Sequence, residues 1–275
     1  MRYGKFLPEK GTIGFVAPSF GCNIEPYRSA FINAQKIWEQ QGYGFSFGPN
    51  AYEGCGIGIS NTPQKCAEEF NDWYAKEDVD VLISCGGGEL MCEILPYIDF
   101  EKIRNREPKW FLGYSDNTNL IFLLATLCDT AAIYGPCAAA FGMEPWHDSL
   151  KDAMGILKGN IKSVHNYEQW EKEGLKTEDN PLEPYNVTEK FQLRTWTAEK
   201  GLSIPDDISK KTDEIIQMEG RLLGGCLDCL SILCGTKFDQ VEQFNEKYKE
   251  DGILWFLESC DLNPMGIRED RKSVV

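Results

Sequence analysis

The sequence predicts an α/β protein: a mostly parallel sheet with helices on both faces, followed by a smaller α/β domain. Two observations lead there. In the first half, short runs rich in β-branched and aromatic residues alternate with helical patterns, an order that needs crossover connections between parallel strands. Glycine-bearing segments follow several of these strands, at the carboxyl ends where such sheets gather their reactive groups.

The elements follow in order. Residues 12–17 read as a strand closed by Pro18-Ser19, and residues 27–41 place Ala30, Phe31, Ala34, Ile37 and Trp38 at helical spacing before Gly42 ends the helix. A second strand at 43–47 leads through the glycine-rich loop 53–58 to a helix at 66–75. Residues 79–85 read as a third strand, 89–95 as a short helix, 109–113 as a fourth strand, 119–127 as a buried helix and 131–134 as a fifth strand. The segment 167–208 is polar and carries Pro181, Pro184 and Pro205, the pattern of a linker with irregular or short-strand structure. Beyond it come a strand candidate at 214–218, the segment Glu219-Gly-Arg-Leu-Leu-Gly-Gly225, a helix through Cys234-Gly235, and an apolar strand at 253–257 ending at Glu258. The expected division is an N-terminal domain over 1–165, a linker over 166–210 and a C-terminal α/β domain over 211–275 that is cut short.

Composition narrows the function. A length of 275 residues allows a large core. A formal net charge of -15 argues against nucleic acid or an anionic membrane as partner, because both require basic patches. No run approaches the roughly 20 apolar residues of a membrane span, and Met1-Arg-Tyr-Gly-Lys-Phe-Leu-Pro-Glu-Lys10 lacks the apolar stretch of a secretory leader, so a cytoplasmic location is expected. Eleven cysteines, an odd number scattered through apolar runs, fit reduced thiols. Cys226-Leu-Asp-Cys229 has redox or zinc spacing, but no second Cys or His pair stands at ligand spacing, so a structural role is favoured and no metal is expected. Neither G-x-G-x-x-G nor a P-loop is present, and no cofactor is expected.

Chemistry concentrates at Trp110-Phe-Leu-Gly-Tyr-Ser115-Asp116. A strand ending here and passing into the helix at 119–127 puts Ser115 on a strand-to-helix turn, the arrangement by which serine hydrolases expose a nucleophile beside helix N–H groups. The alternative is that Ser115 only caps the helix. The triple glycine Gly86-Gly87-Gly88 ends the preceding strand, and without side chains its N–H groups can approach a carbonyl oxygen.

In order along the chain, Gly11-Thr-Ile-Gly-Phe-Val-Ala-Pro-Ser19, Ser84-Cys-Gly-Gly-Gly-Glu89, Leu95-Pro-Tyr-Ile-Asp99, Phe111-Leu-Gly-Tyr-Ser-Asp116, Tyr134-Gly-Pro136, Glu219-Gly-Arg-Leu-Leu-Gly-Gly225 and Leu254-Trp-Phe-Leu-Glu258 resemble the LD-carboxypeptidase family of serine peptidases, which includes the microcin C immunity peptidases. The resemblance implies a flavodoxin-like N-terminal domain and a Ser-His-Glu triad at the junction with the smaller domain. It implies Ser115 as nucleophile and Glu219 as triad carboxylate. The N–H groups of Gly87 and Asp116 become oxyanion-hole candidates; Gly86, Gly88 and Glu258 become substrate-binding or structural candidates.

The chain departs from the family twice. Gly224-Gly225-Cys226 stands where Gly-Gly-Asn is usual, and the family histidine, expected several tens of residues beyond Glu258, has no counterpart in the closing segment 267–275. Only His147 and His165 exist, both in polar segments and read as incidental. The expected function is hydrolysis of an amide in a murein peptide or a peptidyl-nucleotide, crippled by the missing base. Alternatives are a catalytically silent binding protein of the same fold and, more remotely, a nucleotide-binding or amidotransferase-like protein. A shortened second domain would leave an apolar face and a sheet edge uncovered, so a homodimer is expected.

Overall fold

The computed structural model describes residues 1–192, 195–197, 201–203 and 217–274. Strands β1 (Thr12–Val16), β2 (Gly44–Phe47), β3 (Val81–Ser84), β4 (Trp110–Gly113) and β5 (Ile133–Tyr134) form one parallel sheet in the order β2-β1-β3-β4-β5. This is the flavodoxin order, with its switch point between β1 and β3. Parallel neighbours need crossovers rather than tight turns. Helices α1 (Tyr27–Gln40), α2 (Pro63–Ala75), α3 (Phe100–Arg104) and α4 (Thr118–Thr126) lie in those crossovers, and α5 (Asp148–Leu157) follows β5.

Period-two alternation explains why both faces are covered. On β3, Val81 and Ile83 join the apolar cluster that holds Phe31 and Trp38 of α1, while Leu82 points into the cluster that holds Phe70 of α2 and Leu120 of α4. Phe111 of β4 is fully buried on the second side, edge-on to Phe70 with ring centroids 5.2 Å apart.

After α5 come two short antiparallel pairs, β6 (Gln169–Glu171) with β7 (Val187–Lys190) and β8 (Thr195–Thr197) with β9 (Gly201–Ser203). The remaining elements are β10 (Arg221–Cys226), α6 (Leu227–Leu233), α7 (Val241–Tyr248), β11 (Ile253–Glu258) and α8 (Pro264–Val274). β10 and β11 pair in parallel from Arg221↔Ile253 to Cys226↔Glu258. Of the strand expected at 214–218, residues 214–216 lie outside the described residues, and the strand that forms is β10, further along. It accommodates its glycines by close approach: at Gly224, with φ +154°, a Cβ would lie 1.8 Å from the carbonyl oxygen of Phe256. Leu223, Leu227, Leu230 and Leu233 share one apolar cluster with Ile121, Phe122 and Leu124 of α4, so the C-terminal elements pack onto the helix that follows Ser115.

One buried acid ties two loops together. Glu69 of α2 is 2% exposed, and its carboxylate accepts hydrogen bonds from the Ala17 N–H after β1 and the Asn50 amide after β2. Burial pushes its carboxyl up to about 7.

Two outcomes follow for stability. Phe111→Ala should cost about 3–5 kcal/mol in urea denaturation, the usual range for emptying a buried phenylalanine site. Because Glu69 holds its proton more tightly folded (about 7) than unfolded (near 4.5), its contribution is full below pH 4.5 and is lost as pH rises through 7. Glu69→Gln should therefore flatten the loss of stability, on the order of 3 kcal/mol, that the native protein shows across that window; parallel pH curves for the two proteins would rule the linkage out.

Candidate active site

Ser115 directly follows the Gly113-Tyr114 end of β4 and has φ +61°. Left-handed backbone at a serine costs on the order of 1–3 kcal/mol and persists only where the surroundings over-determine it. They do here. The Ser115 N–H donates to Tyr134 Oη at 2.9 Å, and the Asn117 side-chain amide donates to the carbonyls of Tyr114 and Gly86 at 3.0 and 2.9 Å. Helix α4 begins at Thr118 with Asn117 at its N-cap position, so Ser115 does not cap it. The half-buried side chain of Ser115 stands at the turn with no hydrogen bond from Oγ among the described residues.

Gly87 lies against that side chain. A Cβ there would be 3.3 Å from both Cβ and Oγ of Ser115. Gly88 turns the chain with φ +137°, where a Cβ would meet Ser19 Oγ at 2.1 Å, and Gly86 supplies the carbonyl that accepts from Asn117. The N–H groups of Gly87 and Asp116 donate to no group among the described residues, so two donors remain open beside the serine.

The Asp116 carboxylate is turned away and buried, 4% exposed. It accepts hydrogen bonds from Ser19 Oγ after β1, from the Met91 N–H after β3 at 2.9 Å and from Asn119 Nδ2 in α4 at 3.0 Å. Burial pushes its carboxyl above the usual range, while the bonds from Ser19, Met91 and Asn119 pull the other way. This acid closes the carboxyl ends of three strands around one point.

The two glutamates part company. Tyr134 Oη, which accepts from the Ser115 N–H, itself donates to Glu258 Oε1, so Glu258 is joined to the serine backbone through one phenol. Burial first, and that bond to Glu258 second, push the Tyr134 phenol well up. Glu219 is not brought to Ser115. The Cys226 N–H donates to Thr118 Oγ1 at 3.0 Å, which seats the carboxyl end of β10 at the start of α4. Glu219 precedes the other end of β10 and is exposed; with a rise of about 3.3 Å per residue it stands roughly 20 Å from that seat.

Neither histidine reaches Ser115. His147 caps α5, its Nδ1 accepting from the Ser149 N–H at 3.2 Å, so it has a local structural role. His165 packs against Tyr167 with ring centroids 5.3 Å apart. His165 and Glu219 both line an open trough of 1460 Å³ that runs past Leu222 and Phe256 to Tyr134. Sequence reasoning missed Ser19, Asn119 and the bridging role of Tyr134; the last was signalled by its place in Tyr134-Gly-Pro136.

The geometry can now be set beside known proteins. A profile of the LD-carboxypeptidase N-terminal domain matches residues 13–135, the segment that carries β1 to β5, the triple glycine and Ser115. Residues 13–135 thus carry the N-terminal domain of the LD-carboxypeptidase family. The chain is 32% identical over 151 residues to a Vibrio cholerae protein named as a carboxypeptidase, covering 53% of this chain and 43% of that protein. It is 23% identical over 233 residues to the microcin C7 self-immunity protein MccF of Escherichia coli, covering 82% and 62% respectively. The chain thus spans less than two thirds of the length of these relatives. A solved structure of MccF in complex with glutamyl sulfamoyl guanosine superposes with a TM-score of 0.75 at 20% identity, covering 97% of this chain and 73% of that one. An MccF-like protein from Bacillus anthracis gives 0.72 at 20% identity, covering 95% and 71%. These likenesses place the fold of MccF over nearly the whole chain. No helix among the described residues is long and apolar enough to cross a membrane.

The bridge from Ser115 to Glu258 can be tested without turnover. Tyr134→Phe removes the acceptor of the Ser115 N–H and should speed hydrogen exchange of that amide at least about tenfold, at a stability cost of about 1–2 kcal/mol. Unchanged protection of the Ser115 amide would mean that something else holds the turn.

Proposed function

We propose that this chain carries the acylation half of a serine amide hydrolase that acts at the end of a small peptide or an amide-linked peptidyl-nucleotide. The observation that supports it is the left-handed turn at Ser115, with a half-buried hydroxyl and two undonated N–H groups beside it. In this reading Ser115 Oγ attacks the amide carbonyl, and the N–H groups of Gly87 and Asp116 receive the oxyanion of the tetrahedral intermediate. The amine then leaves, and water hydrolyses the acyl-enzyme. The substrate class is carried from the family and from the peptidyl-nucleotide analogue bound by MccF.

The carboxylate of the triad is better assigned to Glu258 than to Glu219. Glu258 is one phenol away from the serine backbone, whereas Glu219 is at the far end of β10. A carboxylate can orient an imidazole and stabilise the imidazolium only when it lies at the site. The imidazole itself is not supplied by His147 or His165 in their present positions, and loss of one triad member leaves only the residual rate of the oxyanion hole and binding, about 10³–10⁴ over water. The same observation favours a second reading, a binding protein of this fold that holds the peptide without cleaving it. A homodimer belongs to both readings, since Leu222 on β10 is 68% exposed and offers an apolar contact.

The test compares the chain with a version extended by a histidine-bearing C-terminal segment of a relative, on an L,D-tetrapeptide and on a glutamyl sulfamoyl nucleoside. The extended protein should turn over at least about 10³-fold faster. Ser115→Ala and Glu258→Gln in it should lower kcat, and Glu219→Gln should leave kcat near that of the parent. Binding without turnover in both versions would favour the silent protein, and a Ser115→Ala variant that keeps its rate would remove Ser115 as nucleophile.

A further inference from the structure

Two cysteines three residues apart, Cys226 and Cys229, and a third distant in the chain, Cys260, lie near the Asp228 carboxylate, and Cys229 touches the turn at Ser115. The register Cys226↔Glu258 sets Cys260 just beyond the carboxyl end of β11, and Asp228 in the first turn of α6 gathers the group. Its Oδ2 accepts from Cys226 Sγ at 3.2 Å, from the Cys260 N–H at 3.3 Å and from Ser259 Oγ at 3.3 Å. Cys226 occupies the N-cap of α6 with extended backbone and Cys229 is the third helical residue. That spacing sets two Cβ atoms about 5–6 Å apart across the first turn, near enough for a disulfide to close by small local adjustment. Cys226 and Cys229 are buried, at 2% and 7% exposure, while Cys260 is exposed. No three His, Cys, Asp or Glu side chains among the described residues are arranged to hold a metal ion.

Cys229 also touches the turn itself. Its Sγ lies 3.7 Å from the carbonyl oxygen of Ser115 and 3.9 Å from Asp116 Oδ1. The thiol therefore donates to the backbone of Ser115 and to the acid that closes the strand ends. Turning Sγ toward Cys226 withdraws that donor from both.

We propose that Cys226 and Cys229 are a dithiol that closes to a disulfide and so alters the turn at Ser115, with Cys260 as the point of entry for a disulfide oxidant such as oxidised glutathione. Cys260 attacks one sulfur of glutathione disulfide and releases one glutathione thiol. Cys226 attacks Cys260 in the mixed disulfide and releases the second glutathione thiol, and Cys229 attacks Cys226 and returns Cys260 to its thiol. The net change oxidises two cysteine thiols by two electrons, reduces one glutathione disulfide, and leaves the two thiol protons on glutathione.

The acidic setting governs the rate and the durability of the bond. The Cys226 contact first, then burial and Asp116, push the Cys229 thiol well up, and burial with Asp261 raises Cys260. A thiol poor in thiolate exchanges slowly, but it also lacks the charge stabilisation of the reduced form that makes other Cys-x-x-Cys disulfides easy to reduce. Once formed, the bond resists reduction. The consequence for turnover rests on Ser115 being the nucleophile; formation of the bond does not.

The experiment equilibrates the whole chain with graded ratios of oxidised to reduced glutathione, alkylates the remaining thiols and maps tryptic peptides. In the oxidised protein the peptide 222–237 should carry alkyl label at Cys234 only, and the backbone amide resonances of Ser115 and Asp116 should shift. Cys226→Ser should abolish both effects, leaving glutathione on Cys260 and alkyl label on Cys229, and Cys260→Ser should slow oxidation at least about tenfold while reaching the same end point. Full labelling of Cys226 and Cys229 in excess oxidised glutathione, or a bridge that leaves the Ser115 and Asp116 resonances unmoved, would overturn the proposal. An unchanged rate in Cys260→Ser would overturn the entry route. Mass and resonance readings need no substrate, so failure of the hydrolase reading would show as absent turnover with both signals intact.

Discussion

The left-handed backbone of Ser115 is the constraint on which its surroundings depend. A serine does not stay at φ +61° unaided, and the loops that end β3, β4 and β5 each contribute to holding it. Asn117 reaches back to the carbonyls of Gly86 and Tyr114, Tyr134 accepts the serine N–H, and Gly87 approaches closely because it has no Cβ. The Asp116 carboxylate then binds the loop after β1 through Ser19 and the turn after β3 through Met91. Removing any one of these contacts loosens a shared point rather than a single residue, because the strand ends converge there by sheet topology.

The C-terminal elements extend that point. β10, α6 and α7 bury their apolar residues against α4, the helix launched by the serine turn, and the end of β10 is pinned to Thr118. Charge follows from the same convergence. Glu89 is raised by burial and by Asp261, Asp116 and Asp228 together, so the rim around Ser115 is acidic although nothing in the local sequence of the turn requires it.

Much of this was legible in the sequence, for identifiable reasons. Strands buried on both faces appear as continuous apolar runs, which is why β1, β3 and β4 were readable, and an apolar helix following directly on Gly113-Tyr-Ser115 identified the strand-to-helix turn. Ordered motifs gave the family. Glu219 lies at the far end of β10 from Ser115, and the sequence hides this because Gly224 and Gly225 carry no β propensity to announce the strand. Which end of a strand faces the site is fixed by long-range pairing, and Tyr134, although it opens the motif Tyr134-Gly-Pro136, acquires its bridging role only once β5 lies beside β4.

The parallel pairing of β10 with β11 has a further implication, for assembly rather than chemistry. Residues 221–226 and 253–258 are joined across α6 and α7, and the whole pairing rests on six matched positions. Side chains alternate faces along a strand, so sliding β11 by one position would point Glu258 to the opposite side of the sheet, away from Tyr134. The place of Glu258 beside Tyr134 is thus set by a pairing between strands far apart in sequence. Changes in the length of the connection between α6 and α7 should be tolerated, whereas a single residue inserted within β11 would separate the acid from the turn even if the core remained intact.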